Sequence, residues 1–466
     1  MTEINNTVKP HLFTRLWASF NKRQHIAPLV VLRIAFGTIM LISTVRFVLK
    51  GWVYDFYIAP KFFFPFYGFE WVRPLPAVGM YLLFAVMAVA SLFVLIGFLY
   101  RISISVFFAS FVYVELIDKT YYLNHYYFVS IITFLLLLVP AHRYFSVDVM
   151  RKPSLKVTHV PGWTINIFKW QLVFIYFCAG ISKLNYDWMF NALPLKIWLP
   201  ANGDMPVIGP LLRQTWVAYL FSWFGAVFDI SIGFLLLNKR TRGVAYIFVV
   251  IFHVFTGWLF KIGMFPYIMI FTTVIFFSEE YHLKFIRRLQ HILSIRPLQH
   301  MELPISYNPP VARRTILYCI LGLYVSLQLV LPFRYLLYPG ALFWTEEGYR
   351  FSWRVMLMEK SGTSFFYVKD HATGRRGEVN NAKYLTPLQE KMMSTQPDMI
   401  LQYAHYLKDV YTKKGIKDPI ITTECYVTLN GSGSMLYVDS TIDLSKEKES
   451  LLSKKWILPF HQNLNK

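Results

Sequence analysis

Acidic side chains are scarce in this sequence: 26 Asp and Glu stand against 47 Lys and Arg in 466 residues. Cysteine is scarcer still, with three, and Cys178, Cys319 and Cys425 lie far apart with no Cys-x-x-Cys and no metal-ligand spacing. A disulfide framework and a zinc site are thereby excluded as readings, and no other metal is expected. Walker loop, dinucleotide-binding glycine pattern, nucleophile elbow and His-Glu-x-x-His are all missing, so nucleotide hydrolysis, Rossmann-type redox chemistry, serine hydrolysis and zinc peptidase chemistry have no signature here. Nor is there an internal repeat of the kind that builds inverted-repeat transporters.

Apolar residues are what the chain has in excess. They make up 55% of it, aromatics 18%, and the mean hydropathy is +0.41, more than a soluble domain of this size needs. The sequence reads as a polytopic α-helical membrane protein. Runs approaching the roughly 20 residues that cross a hydrocarbon core occur at 26–48, 76–98, 102–117, 124–140, 165–183, 214–236, 243–260, 264–279 and 312–332, which predicts about nine transmembrane helices. Basic residues precede the first run (Lys9, Arg15, Lys22, Arg23) without a small-residue cleavage site after it, so this span is expected to be retained. Lys and Arg collect in alternate connections: Arg101; Arg143 with Arg151, Lys152 and Lys156; Lys239, Arg240 and Arg242; Lys284, Arg287 and Arg288. By the positive-inside rule these connections are cytoplasmic. The formal charge of +21 is thus accounted for by topology, and nucleic acid is discarded as a partner. The expected organisation is a cytoplasmic tail over 1–25, a transmembrane domain over 26–332 and an extracytoplasmic α+β domain over 333–466.

That last segment has the alternation of a soluble domain. FSWRVMLM (351–358) and SFFYVK (364–369) predict a first hairpin, and TECYVTL and MLYVDST around NGSGS (430–434) a second, turned by Asn-Gly. Between them Ile400, Tyr403, Leu407, Val410 and Tyr411 share one face of a helix starting near Pro397. Asn430-Gly431-Ser432 is also a glycosylation sequon, of consequence only in a eukaryotic lumen.

Three constellations carry chemistry on the face that holds this domain. Lys183 ends the apolar run WQLVFIYFCAGIS, and Asn124 and His125 open the span at the same depth, in an aromatic belt of Tyr121, Tyr122, Tyr126 and Tyr127. Alone, each is more often an interfacial anchor; together, a partly desolvated lysine hydrogen-bonded by a neutral histidine makes a general base. In HVFTGWLFKIGMFPYIM (253–269), Gly263 and Pro266 interrupt two apolar runs, so Met264, Phe265 and Tyr267 turn between spans or line a flat apolar site. In EEGYRFSWRVM (346–356), Arg350 and Arg354 are either solvated strand residues or receivers of a carboxylate. Asp229, inside the sixth span, is expected to pair with a neighbouring polar group.

LIDKTYYLNHYY, YFCAGISKLNYDWM, KIGMFPYIM, GYRFSWRVM and the distal TLNGSGSMLYVDSTIDL, in that order, resemble the vitamin K-dependent gamma-carboxylase family, including its bacterial members in the wider HTTM membrane-domain group. The resemblance covers nearly the whole chain. It implies a lyase-type reaction in which a lysine at the Lys183 position deprotonates the reduced vitamin K hydroquinone, whose epoxidation by O2 generates a strong base. That base removes the γ-proton of a peptide glutamate, and CO2 adds to give γ-carboxyglutamate. His125, with Asn124, is implied to support the lysine and the glutamate. Trp188, Met264, Phe265, Tyr267, Phe351, Ser352, Trp353, Arg354 and Met356 are implied to contact quinone or peptide. The chain departs from the animal pattern at Ser182, where a second lysine stands, at Phe351 for a tyrosine, and at Arg354 for an acid. The partners expected are therefore membrane lipid and quinone and a glutamate-containing peptide. A quinol oxygenase with a different acceptor, and a transporter using Lys183 and Asp229 as intramembrane charges, are the alternatives. The expected location is a bacterial inner membrane with the C-terminal domain periplasmic, or the endoplasmic reticulum in a eukaryote.

Overall fold

The computed structural model describes residues 21–295 and 305–461; most of the expected cytoplasmic tail lies outside them. A short strand β1 (Arg23–His25) pairs antiparallel with β2 (His159–Pro161), so the last residues assigned to the tail are tied to the loop before the fifth span. The helices of the apolar half are α1 (Ala27–Leu49), α2 (Ala77–Ile96), α3 (Tyr100–Ile117), α4 (Asn124–Leu138), α5 (Trp163–Ser182), α6 (Thr215–Leu237), α7 (Arg242–Phe260), α8 (Phe265–Thr273), α9 (Glu279–Ile292) and α10 (Val311–Val330).

Among the described residues seven helices, α1 to α3, α5 to α7 and α10, are long and apolar enough to cross a membrane. The expected count of about nine is corrected accordingly. The fourth and eighth expected spans are the shorter apolar helices, α4 with 15 residues and α8 continuing to Phe276. At 1.5 Å per residue α4 rises only about 22 Å, short of a hydrocarbon core about 30 Å thick. Both start where the sequence put them and end early, α4 following the turn Lys119–Tyr121 and α8 following the Gly263 break, where φ is +66°. The loops ahead of them, residues 120–123 and 260–264, line a cavity at one end of the bundle.

The C-terminal region closes that end. Its antiparallel sheet has the order β4-β3-β5-β6, with β3 (Lys360–Lys369), β4 (Arg376–Glu378), β5 (Ile420–Leu429) and β6 (Met435–Leu436). The register of β3 on β5 runs from Lys360↔Leu429 to Lys369↔Ile420. Helix α11 (Pro387–Met393) and helix α12 (Pro397–Lys413) follow β4 in the chain, and α12 buries Met399, Ile400, Tyr403, Ala404 and Leu407. The helix start near Pro397 and the second hairpin follow the sequence reading; Asn430 and Gly431 turn it with φ of 50° and 78°, the left-handed pair such a tight turn requires. The first hairpin does not form. Phe351, Trp353 and Met356 have φ of 61°, 59° and 55°, and three non-glycine residues in the left-handed region within six positions break any strand there. Strand β3 pairs with β4 and β5 instead.

An ionic clamp fastens the two halves. The Asp398 carboxylate, in the first turn of α12, accepts from Lys119 Nζ and from Arg350 Nη1, each at 2.7 Å. Burial alone would raise this carboxyl, but the Arg350 guanidinium and the Lys119 ammonium outweigh it and hold it well below the usual carboxylate range. Beside it, Asp118 accepts from Thr120 N at 2.8 Å and from Gln389 Nε2 at 2.9 Å, and burial pushes its carboxyl up to about 6.

Candidate active site

Helices α5 and α6 cross where Gly180 has no side chain: a Cβ there would lie 2.6 Å from the Ile230 nitrogen and 3.0 Å from the Asp229 carbonyl carbon. Small residues permit such close approach between membrane helices. One turn on, Lys183 caps α5 and is buried, and its Nζ donates to Asp229 Oδ2 at 2.6 Å and to Ala179 O at 3.4 Å. The ammonium also lies 5.3 Å from the centre of the Trp188 ring. Trp188 is anchored to α6, its Nε1 donating to Ser222 O at 2.8 Å. The Gly180→Leu substitution is expected to force α5 and α6 apart. It should lower the thermal midpoint in detergent, and a midpoint equal to the wild type would refute the close crossing.

The sequence reading put Lys183 in hydrogen-bond contact with His125. Among the described residues that bond is not made: Asp229 takes the lysine, as the neighbouring polar group that residue was expected to find. An ion pair in low dielectric outweighs a bond to a neutral imidazole. His125 is partly buried, with its ring 4.5 Å from Tyr126 and 5.9 Å from Phe265.

Asn124, His125, Met264, Phe265, Arg354 and Met356 line one open cavity of about 680 Å³ between the loops ahead of α4 and α8 and the segment 349–356. Lys183 and Trp188 stand outside this lining. The route between them is aromatic: Phe265 meets His125 and, at 5.5 Å, His253; His253 Nε2 shares a 2.8 Å hydrogen bond with Tyr176 OH; and the Tyr176 ring meets Phe228, next to Asp229. The sequence reading missed the His253 and Tyr176 pair, though an isolated histidine inside an apolar span was its signal.

Tyr267 points elsewhere, into an apolar groove of about 900 Å³ on the side of the bundle. This groove shares Arg46, Gly263 and Met264 with the cavity.

The strained segment 351–356 is held from below. Tyr122 OH accepts from Phe351 N at 2.8 Å and donates to Asn124 Oδ1 at 3.1 Å, and Asn124 Nδ2 donates to Arg354 O at 2.7 Å. Ser352 Oγ donates to Tyr349 O. Trp353 is fully buried in the bundle, stacked on Tyr127 at 4.8 Å, with Nε1 donating to Gln328 Oε1 at 3.3 Å. Phe351 faces Tyr122, Tyr127 and Phe66 and lines a different cavity, of about 470 Å³, with Arg334 and Arg350. Asn430 is buried at the seam, its Nδ2 donating to Asp187 Oδ2 at 2.8 Å and its Oδ1 accepting from Glu359 N. The sequon nitrogen is therefore occupied by a protein contact.

Residues 21–281 match the HTTM domain family, and residues 313–463 match the family described as vitamin K-dependent gamma-carboxylase, lumenal domain. No solved structure matches the chain.

Proposed function

Because the chain belongs to the HTTM-domain family of vitamin K-dependent gamma-carboxylases, we propose that it is an integral-membrane carboxylase that couples epoxidation of reduced vitamin K by O2 to the addition of CO2 to a peptide glutamate. The observation that carries this reading is a buried Lys183 and Asp229 pair joined, through Phe228, Tyr176, His253 and Phe265, to an aromatic and Met-lined cavity at the junction of membrane and C-terminal domains.

The residues present fit a lipid quinol. The cavity volume of about 680 Å³ lies within the range of small-molecule sites. Met264, Phe265 and Tyr126 offer flat and deformable apolar surface, while Asn124 and His125 offer polar atoms at its rim. The adjoining groove, lined by Ile42, Tyr267 and Phe271, gives an apolar chain a path along the bundle.

When bound, the quinol supplies, with oxygen, a base strong enough for a carbon acid. The protein's own part is the first proton. In this reading the acceptor is the buried Lys183 and Asp229 pair, reached from the cavity through the His253 and Tyr176 hydrogen bond. His125 and Asn124 orient the reacting groups. The aromatic wall of Phe228, Phe252 and Phe265 keeps water away from a base that water would quench.

The test uses detergent-purified protein with reduced vitamin K, oxygen, labelled bicarbonate and a short glutamate peptide, beside the His125→Ala variant. Epoxide and peptide-bound label together, both lowered by roughly 10²-fold in the variant, are expected for a residue that orients the reacting groups. Epoxide without label would instead make the protein a quinol oxygenase with another acceptor, a reading that Phe351 favours. Neither product from a folded sample would overturn the function.

A further inference from the structure

Buried cationic residues among those described include Arg33, Lys119, Lys183 and Arg354. Lys119 and Lys183 meet carboxylates. Arg33 donates to Ala141 O at 3.0 Å and to Phe145 O at 2.7 Å. Arg354 alone makes no side-chain hydrogen bond among the described residues. Its Nε is buried without a partner, and its guanidinium lies 4.3 Å from the centre of the Tyr335 ring. Arg354 as a whole is 9% exposed, and a buried guanidinium with no anion is unfavourable unless something else completes it.

Its neighbour in sequence makes the contrast. Arg350, four positions earlier, is satisfied by Asp398 and Gln396 and faces the second cavity. Arg354 lines the first cavity with Asn124 and His125, and the bond from Asn124 to its carbonyl fixes the backbone from which it extends.

We propose that Arg354 receives the side-chain carboxylate of the glutamate to be modified. This rests on the carboxylase reading and adds a residue to it. A proton next to a carboxylate is weakly acidic because its loss places a second negative charge beside the first. With Arg354 on that carboxylate, the γ-carbon to hydrogen bond breaks and the proton passes to the base raised by quinol and oxygen. The electron pair moves into the clamped carboxylate, and from there it forms the new bond to CO2. The planar guanidinium holds both carboxylate oxygens at once.

Binding is measured on the full chain in detergent without quinol, using a fluorescent peptide carrying one glutamate and the same peptide with glutamine. The wild type is expected to prefer the glutamate peptide, and Arg354→Gln to lose that preference by about thirtyfold, the size of one charge-assisted contact. Arg354→Lys, which keeps the charge, should retain a preference for glutamate at lower affinity, and it serves where the glutamine variant does not fold. Equal affinity of the wild type for both peptides, or an undiminished glutamate preference in Arg354→Gln, would overturn the proposal. Quinol-dependent epoxide formation by the wild type, assayed separately, tests the carboxylase reading, so the two can fail independently.

Discussion

Lys183→Met alone is expected to cost about 3–5 kcal/mol of stability, because it strands the Asp229 carboxylate without its cation in the packed interface of α5 and α6. Asp229→Leu alone should cost a similar amount by stranding the ammonium. The double variant, Lys183→Met with Asp229→Leu, removes both charges and is expected to return near the wild-type thermal midpoint, since a buried pair replaced by apolar groups of similar volume is often neutral or better. Product formation should behave differently. All three variants are expected to make no epoxide, because stability can be restored by packing but a proton acceptor cannot. A double variant that melts like the wild type and is inactive would assign the pair to chemistry. One that keeps full activity would reduce the pair to a helix fastener and sink the proton-acceptor role. The intermediate case, Asp229→Asn, tests which member matters: full activity there would mean that Lys183 works without its carboxylate.

Asp398→Ala is expected to be the most damaging change outside the membrane half. It leaves Lys119 and Arg350 both buried without their shared anion, again at about 3–5 kcal/mol, and should loosen the C-terminal domain from the bundle. Faster proteolysis between the two halves would report it. The same contact has a pH signature. Unfolded, an aspartate titrates near 3.9; folded, the two cations hold Asp398 well below the usual range. Between those values the unfolded chain binds more protons, so stability rises with pH there. The contribution is complete above the unfolded value and is lost as pH falls through the folded one. Asp118 has the opposite sign: burial raises it to about 6, so it costs stability as pH rises from the unfolded value through that point. Thermal midpoints of wild type and Asp398→Asn across the acidic range cancel Asp118, which both share. The gap between the two curves should shrink on acidification, and a constant gap would refute the clamp.

What was legible beforehand follows from which interactions are local. The start of α12 at Pro397 and the turn at Asn430-Gly431 were readable because a proline at the first helical position and a left-handed Asn-Gly pair act within a few residues. The strand expected at 351–358 was misread for the same reason in reverse. Its alternation is regular, but Tyr122 and Asn124, more than 200 residues away, bind its backbone, and Trp353 is drawn into the bundle against Tyr127 and Gln328. Likewise Arg350 and Arg354 are equivalent by spacing. Only the position of Asp398 made one a clamp and left the other facing the cavity.

The sequence by itself determined that this chain is apolar enough to live in a membrane, roughly where its spans run, that a small α+β unit follows them, and which motifs place it in its family. Those properties are sums over composition and short periodicity. Tertiary structure decided the partner of Lys183, the cavity formed where the loops ahead of two spans meet the C-terminal region, and the buried Arg354 guanidinium that makes no side-chain hydrogen bond among the described residues. Each depends on which helix lies against which, at Gly180 and Asp229 above all, and a charge buried in low dielectric takes its meaning from the neighbour it meets there.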